Sequence, residues 1–438
     1  MKLSITFLFT ALGIITSYAG PILNGVPIFD DRDSTVNAHG ANIIKDGEVY
    51  YLFGEYKTDS ANVFQGFSCY SSPNLSDWKF EGIALPMQPD GRLGPNRVGE
   101  RPKVFRAKET GEYVMIAHSD NRLYKDPCVV YATSPTINGV YTFRGPLLYK
   151  ERPIKRWDLG CFTDDDGTSY LLMHHGDIYR ISPDGHSLDS CMTHQQPGVG
   201  ESPAMFKHNG VYYWLSSHTT SWERNDNMYF TSASLSGPWQ YRGCFCPEGS
   251  LTHNSQTSYV LPLVSERDTT YMYMGDRWSF PRQRSAATYV WLPITLRNGE
   301  MSITEYYEAW RPESLKKTTI VGKSICGEWI SSQAGDSLSV SFNGCGHLVI
   351  RGNTDAESGY ATIKIFDEEG KILHNHNVDF YSKNPSRGIR YYSPYLPKGE
   401  YRVEVGVAGF SPVWTDKTKR VFGSSGFKVY VSEIMIAQ

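Results

Sequence analysis

Residues 201–218 read ESPAMFKHNGVYYWLSSH. A short apolar strand runs into His208-Asn209-Gly210, and an aromatic-rich strand follows. Asn-Gly tolerates the positive φ of a tight turn, so the stretch predicts a β-hairpin. The same unit recurs along the chain. Lys45-Asp46-Gly47 leads into VYYLFGE, Glu109-Thr110-Gly111 into EYVMIAH, Asp165-Asp166-Gly167 into TSYLLMHH, and Glu266-Arg267-Asp268 into TTYMYMGDR. Each turn follows a short apolar strand (GANII, PKVFR, LGCFT, PAMFK, SYVLPL). In three units a further turn and aromatic segment follows: SSPNLSDWKF, TSPTINGVYTF and SASLSGPWQY. The spacing is roughly 40 to 60 residues, that of propeller blades. The chain is therefore expected to be all-β: a five-bladed β-propeller over residues 20–312, followed by a C-terminal β-sandwich over 313–438.

Composition fits this reading. The chain has 438 residues, 13% of them aromatic, with 29 Tyr and 10 Trp. Such side chains suit pleated, half-buried strands. A net charge of -3 gives no reason to expect nucleic acid or an anionic membrane as partner. Residues 1–19, MKLSITFLFTALGIITSYA, place one lysine before an apolar run and end in a small-residue site. They predict a signal peptide and an exported protein, periplasmic or extracellular. The eight cysteines show no CxxC pair and no zinc-type spacing with histidine. Cys326 and Cys345 are candidates for a disulfide, the others for small buried hydrophobes. After Trp310-Arg311-Pro312 the alternating strands LSVSF, HLVIRG, ATIKIFD and EYRVEVGVAG predict the sandwich. Trp414, Tyr391 and Tyr392 are there candidates for sugar platforms, with core packing favoured.

In a propeller the first strand of each blade lines the central channel. The residues at the five strand starts are Asn37-Ala38-His39-Gly40, Glu100-Arg101-Pro102, Arg156-Trp157-Asp158, Glu201-Ser202-Pro203 and Asn254-Ser255-Gln256. Residues distant in sequence thus converge on one polar funnel. Carboxylates crowded there raise one another's pKa, and burial adds to the effect. A carboxyl kept protonated near neutrality is a general acid.

These motifs resemble family 43 glycoside hydrolases, and within them the exo-β-1,3-galactanase subgroup. The residues carrying the resemblance are AHGANII (38–44), FGEYK (53–57), ERPKV and TGEYVM (100–104, 110–115), WDLGCFTDDDG (157–167), ESPAMFKHNGVYY (201–213), NSQTSYVLP (254–262), YMGDRW (273–278) and YVWLPI (289–294). The resemblance implies an inverting exo-glycosidase that releases galactose from β-1,3-galactan, acting on a polysaccharide or oligosaccharide as a monomer. It matches Glu201 to the catalytic acid and Asp158 to the carboxylate that tunes and orients it. The wider family places an aspartate base at the start of blade one, where this chain has His39-Gly40. By resemblance to the subgroup, Gln256 and Glu100 handle the water. Gln256 would hold and polarise it, or pass the proton through an imidic tautomer; Glu100 would be the base or its modulator. Glu55, Tyr124 and Thr220 match sugar-contacting positions. Ser202 in place of the more usual Ala, and Trp157 and Leu159-Gly160 around Asp158, depart from the family pattern. No cofactor is required on this reading. Asp164-Asp165-Asp166-Gly167 reads as a turn rather than a calcium loop, and the channel, with His39 and His253 near strand starts, leaves room for a structural calcium ion. Two other readings are an α-L-arabinofuranosidase or β-xylosidase of the same family, and a non-catalytic sugar-binding propeller.

Overall fold

A computed structural model describes residues 20–265, 268–416 and 418–438. The expected signal peptide, and Glu266 and Arg267 of the last repeat turn, lie outside the described residues. The repeat folds as the hairpins predict. The first sheet joins His39–Asp46, Val49–Glu55, Gly66–Ser72 and Lys79–Pro86. The second joins Arg97–Arg106, Tyr113–Asn121, Cys128–Ser134 and Thr142–Pro146. The third begins at Leu159–Thr163 and is widened to six strands by Leu148–Tyr149 and Arg152–Pro153. The fourth begins at Glu201–His208 and the fifth at Gln256–Val264.

The sheets stack face to face, which is why central strands such as Tyr113–Asn121 are buried on both sides. Each interface has its own apolar core. Phe53 and Phe67 meet Val104 and Met115 between the first two sheets. Phe105 and Ile116 meet Leu159 and Leu171 across the next, Leu172 meets Trp214, and Phe206 meets Tyr273. Met272 and Trp291 meet Ile43 and Leu52, which closes the ring. The five starting strands touch one another in the same cyclic order.

The molecule is thus a β-propeller, but the expected count of five is corrected to six sheets. The sixth has three strands and joins the two ends of the propeller segment: Ile22–Leu23 pairs with Ala309–Arg311, which pairs with Lys316–Lys317. Ile22 and Trp310 pack into the core that seals the last sheet against the first. Strands of two or three residues carry no periodic signal, so no repeat marked them.

Beyond these, eight strands between Gly322 and Ala437 form one sheet network. It turns on the 18-residue strand Ser337–Thr354. The first half of that strand pairs with Leu396–Val407, the second with Val429–Ala437 and Ser386–Tyr392. Leu348, Ile350, Ile363, Val403 and Ile434 fill the core between. Trp414 and Tyr391 are buried, so core packing claims both. Cys326 and Cys345, the candidates for a disulfide, are both free; the Cys345 thiol lies 3.4 Å from the Tyr395 hydroxyl. Asp164–Gly167 is a hairpin turn closed by the Gly167 amide on the Asp164 carbonyl, 2.9 Å. Lys207 is paired to Asp164 at 2.7 Å and Asp165 at 2.9 Å, so a cation already offsets part of the loop's charge.

Candidate active site

Three starting strands share one local device. The ladder slips between His39 and Asn42, between Glu100 and Lys103, and between Glu201 and Ala204. Each slip is a bulge holding a residue at positive φ: Gly40 at 58°, Arg101 at 54°, Ser202 at 56°. A bulge of this kind re-aims the neighbouring side chains. Proline follows in two of the three and withholds a ladder donor. Arg101 and Ser202 have a Cβ and bear the strain of order 1 kcal/mol that glycine avoids. Gly40 has a second reason to be glycine: a Cβ there would lie 2.3 Å from Glu55 Oε1.

Arg101 is the hub. Its guanidinium donates to Gln256 Oε1 at 2.8 Å, Ser202 Oγ at 2.7 Å and the Thr257 carbonyl at 3.1 Å. It lies 3.3 Å from Asp158 Oδ2. Its backbone N–H donates to Glu55 Oε1 at 2.9 Å. One buried residue therefore gathers four starting strands through its side chain, and the hairpin behind the first through its backbone N–H. Ser202, unusual by sequence, anchors the second carboxylate, because its N–H and hydroxyl both donate to Asp158 Oδ2, at 3.1 and 3.0 Å.

Glu201 stands half-buried at its strand start. Burial, then the neighbouring Asp158 carboxylate, push its carboxyl up to about 8, against the pull of Arg101 and the Trp157 indole that donates to it. Trp157 is backed by His174, with ring centroids 3.8 Å apart. Burial pushes His174 down to about 2, so a neutral ring stands behind the acid.

Glu100 has the opposite environment. Burial would raise it, but hydrogen bonding to His118 and the nearby charge of Lys57 outweigh that and hold it well below the usual carboxylate range. Its Oε1 accepts from Tyr124 OH at 2.8 Å and Asn62 Nδ2 at 2.6 Å, and its Oε2 faces His118 Nδ1 at 3.1 Å. His118, fully buried, also faces Asp120 at 3.3 Å. Burial works against its charge, but Asp120 and Glu100 raise it to about 9. Glu55 is paired with Lys57. Burial nevertheless wins over that cation, and Glu55 is raised above the usual range.

Gln256 is fully oriented. Its Oε1 accepts from Arg101 and from Trp278 Nε1, both at 2.8 Å. Its Nε2 donates to Ser217 Oγ at 2.9 Å. Arginine and indole nitrogens only donate, so this oxygen carries no proton and the group is held as the amide.

The structure brings Glu201, Asp158, Gln256, Glu55, Glu100 and Tyr124 into one connected network. Thr220 is not joined to it directly: its hydroxyl donates to the Glu223 carbonyl at 2.6 Å and accepts from Asn225 at 2.7 Å, within its own loop. His39 Nδ1 faces Asp276 at 3.2 Å, and Gly40 N–H donates to the same carboxylate at 3.1 Å. His253 Nε2 bonds the Ile303 carbonyl at 3.0 Å. The sequence reading gave no role to Arg101, Ser202, Trp278, Asn62 or His118. Of these only Arg101 and Ser202 had a signal, as neighbours of a candidate acid before a proline.

Residues 35–258 match the family model for glycosyl hydrolases family 43. Among solved structures, an exo-β-1,3-galactanase of Phanerochaete chrysosporium bound to galactose superposes with a TM-score of 0.69 at 25% identity, covering 94% of this chain and 100% of that one. A structure from Bifidobacterium bifidum has 31% identity and a TM-score of 0.60, covering 65% of this chain and 96% of that one. Among curated proteins, the β-D-galactofuranosidase of Aspergillus niger is 26% identical over 215 residues, 43% of this chain and 59% of its own length. The arabinoxylan arabinofuranohydrolase of Bacillus subtilis is 23% identical over 279 residues, 52% of this chain and 53% of its own length. The chain thus spans less than two thirds of either curated relative.

Proposed function

The chain belongs to glycosyl hydrolases family 43, and from that premise we propose that it is an exported, inverting exo-glycosidase releasing galactose from β-1,3-galactan. The observation that carries the reading is Glu201, held protonated near neutrality beside Asp158, the carboxylate that Arg101 ties to the water-side amide Gln256. The Phanerochaete enzyme solved with galactose supports the substrate class.

Inversion needs an acid on one side of the glycosidic bond and an activated water on the other. Glu201 gives its proton to the leaving oxygen. Gln256, locked as an amide, holds the water through its remaining N–H. The locked oxygen argues against the imidic route. Glu100 has too little proton affinity for a good base, and its fixed negative charge suits stabilisation of the oxocarbenium-like transition state. Glu55, with raised proton affinity, is the better acceptor for the water's proton.

The direct test is incubation with β-1,3-galactooligosaccharides, following the first-formed anomer by ¹H NMR. Release of α-galactose supports the proposal. Inertness on galactan with turnover of a galactofuranoside or arabinofuranoside would move the chain to the activities of its two curated relatives. Binding without turnover on any of them would leave a sugar-binding propeller.

Two further results are expected. With Glu201 titrating at about 8 and needed in its protonated form, kcat/KM holds below that pH and falls with unit slope above it. Asp158→Asn removes a raising charge and leaves Arg101 in place, so the falling limb moves to lower pH. A limb that stays put would show that another group sets it. Glu55→Gln lowers kcat by about 100-fold, and azide restores turnover with formation of α-galactosyl azide. Azide rescue of Glu100→Gln in its stead would give the base role to Glu100.

A further inference from the structure

The C-terminal sheets reach the wall of the funnel. Ser279 follows Trp278, the residue whose indole fixes Gln256. The Ser279 hydroxyl donates to Asp379 Oδ2 at 2.8 Å, and the Ser279 carbonyl accepts from Tyr360 OH at 3.0 Å. On the facing loop, Tyr381 OH donates to Glu223 Oε2 at 2.6 Å. The next residue, Arg224, is fully buried, with its guanidinium 5.4 Å from the Tyr381 ring centroid. It donates from Nη1 to the Trp278 carbonyl at 2.9 Å and from Nε to Asn254 Oδ1 at 2.8 Å. The main chain at Trp278 is thus gripped at two successive carbonyls, directly by Tyr360 and through Arg224 by Tyr381, and Asp379 holds the side chain of the residue that follows.

We propose that Asp379 and Tyr381 are positioning residues of the active site, and that through them the C-terminal sheets complete the site. An indole N–H points where its backbone aims it. If Trp278 shifts, Gln256 Oε1 loses one of its two donors. Arg101 still holds the oxygen, but with one donor in place of two the amide can swing about that bond and carry its free N–H off the water. The contacts of Glu100, Tyr124 and Asn62 are untouched by such a change. The effect therefore falls on turnover, not on substrate binding.

The proposal rests on the galactanase reading for its assay, so a second readout is needed that does not depend on substrate. The variants are Tyr381→Phe, which removes one hydroxyl and keeps the ring, and Asp379→Asn. In each, kcat on β-1,3-galactotriose is expected to fall by about ten-fold, as misplacement near reacting groups does, with KM and the thermal midpoint nearly unchanged. The ¹⁵N-indole resonance of Trp278, assigned with Trp278→Phe, is expected to move in both. Wild-type kcat with an unmoved resonance would overturn the proposal. So would a loss of activity that merely tracks loss of folded protein. If the wild type releases no galactose, the substrate reading fails, and the resonance still decides the clamp.

Discussion

Glu201→Gln cuts kcat/KM on β-1,3-galactobiose by about 10,000-fold, the upper end of what general acid catalysis contributes. The upper end is expected because the leaving group is a sugar alkoxide, a poor one that leaves only as it is protonated. Glutamine keeps the shape and still accepts from Trp157, but it has no proton of suitable acidity to give. Folding is expected to survive, since the variant removes a carboxyl whose ionised form the site disfavours. A dinitrophenyl β-galactoside, whose phenolate leaves without help, should be cut by the variant at nearly the wild-type rate. The same variant loses the limb near pH 8. If both substrates suffer equally, Glu201 acts on the fold or on binding and the acid is elsewhere.

Much of this site was legible before the structure, and the legible part has one cause. Turn chemistry followed by an aromatic strand is local, so each Asp-Gly or Asn-Gly hairpin announced a blade. Once blades were counted, their starts had to converge, and Glu100, Asp158, Glu201 and Gln256 could be placed together. What escaped was non-local. The sixth sheet pairs Ile22–Leu23 with Ala309–Arg311, segments at opposite ends of the propeller with no motif between them. Trp278 was quoted only as part of a motif, because nothing near it says that its indole meets an amide 22 residues earlier. The proton affinities of Glu100 and Glu55 were also out of reach. Both are buried acids on neighbouring strands, and they diverge because His118 stands by one while burial dominates the other. The clamp from Asp379 and Tyr381 lay across the expected domain boundary, where the sequence offered only candidate sugar platforms.

Arg101 was the largest omission, and its replacement should have the second large effect. Arg101→Met keeps much of the apolar stem and removes the cation held at once by Gln256, Ser202 and the Asp158 carboxylate. Breaking a buried pair by taking one partner costs about 3 to 5 kcal/mol, because the remaining charge is left uncompensated. Here Asp158 and Glu55 both lose a compensating charge, so the urea midpoint falls with no change in slope. Turnover falls with it, by about 100-fold or more in the protein that remains folded, because Gln256 and Asp158 are no longer held together. The two losses separate in Arg101→Lys. Lysine restores the charge but cannot present a planar fork to three acceptors. Most of the stability is expected to return and most of the activity is not. Arg101 also lowers the Glu201 carboxyl, so in Arg101→Met the falling limb of kcat/KM moves to higher pH, opposite to Asp158→Asn. Should both substitutions move the limb the same way, or Arg101→Lys turn over like the wild type, the arginine would be a structural cation and not the organiser of the site.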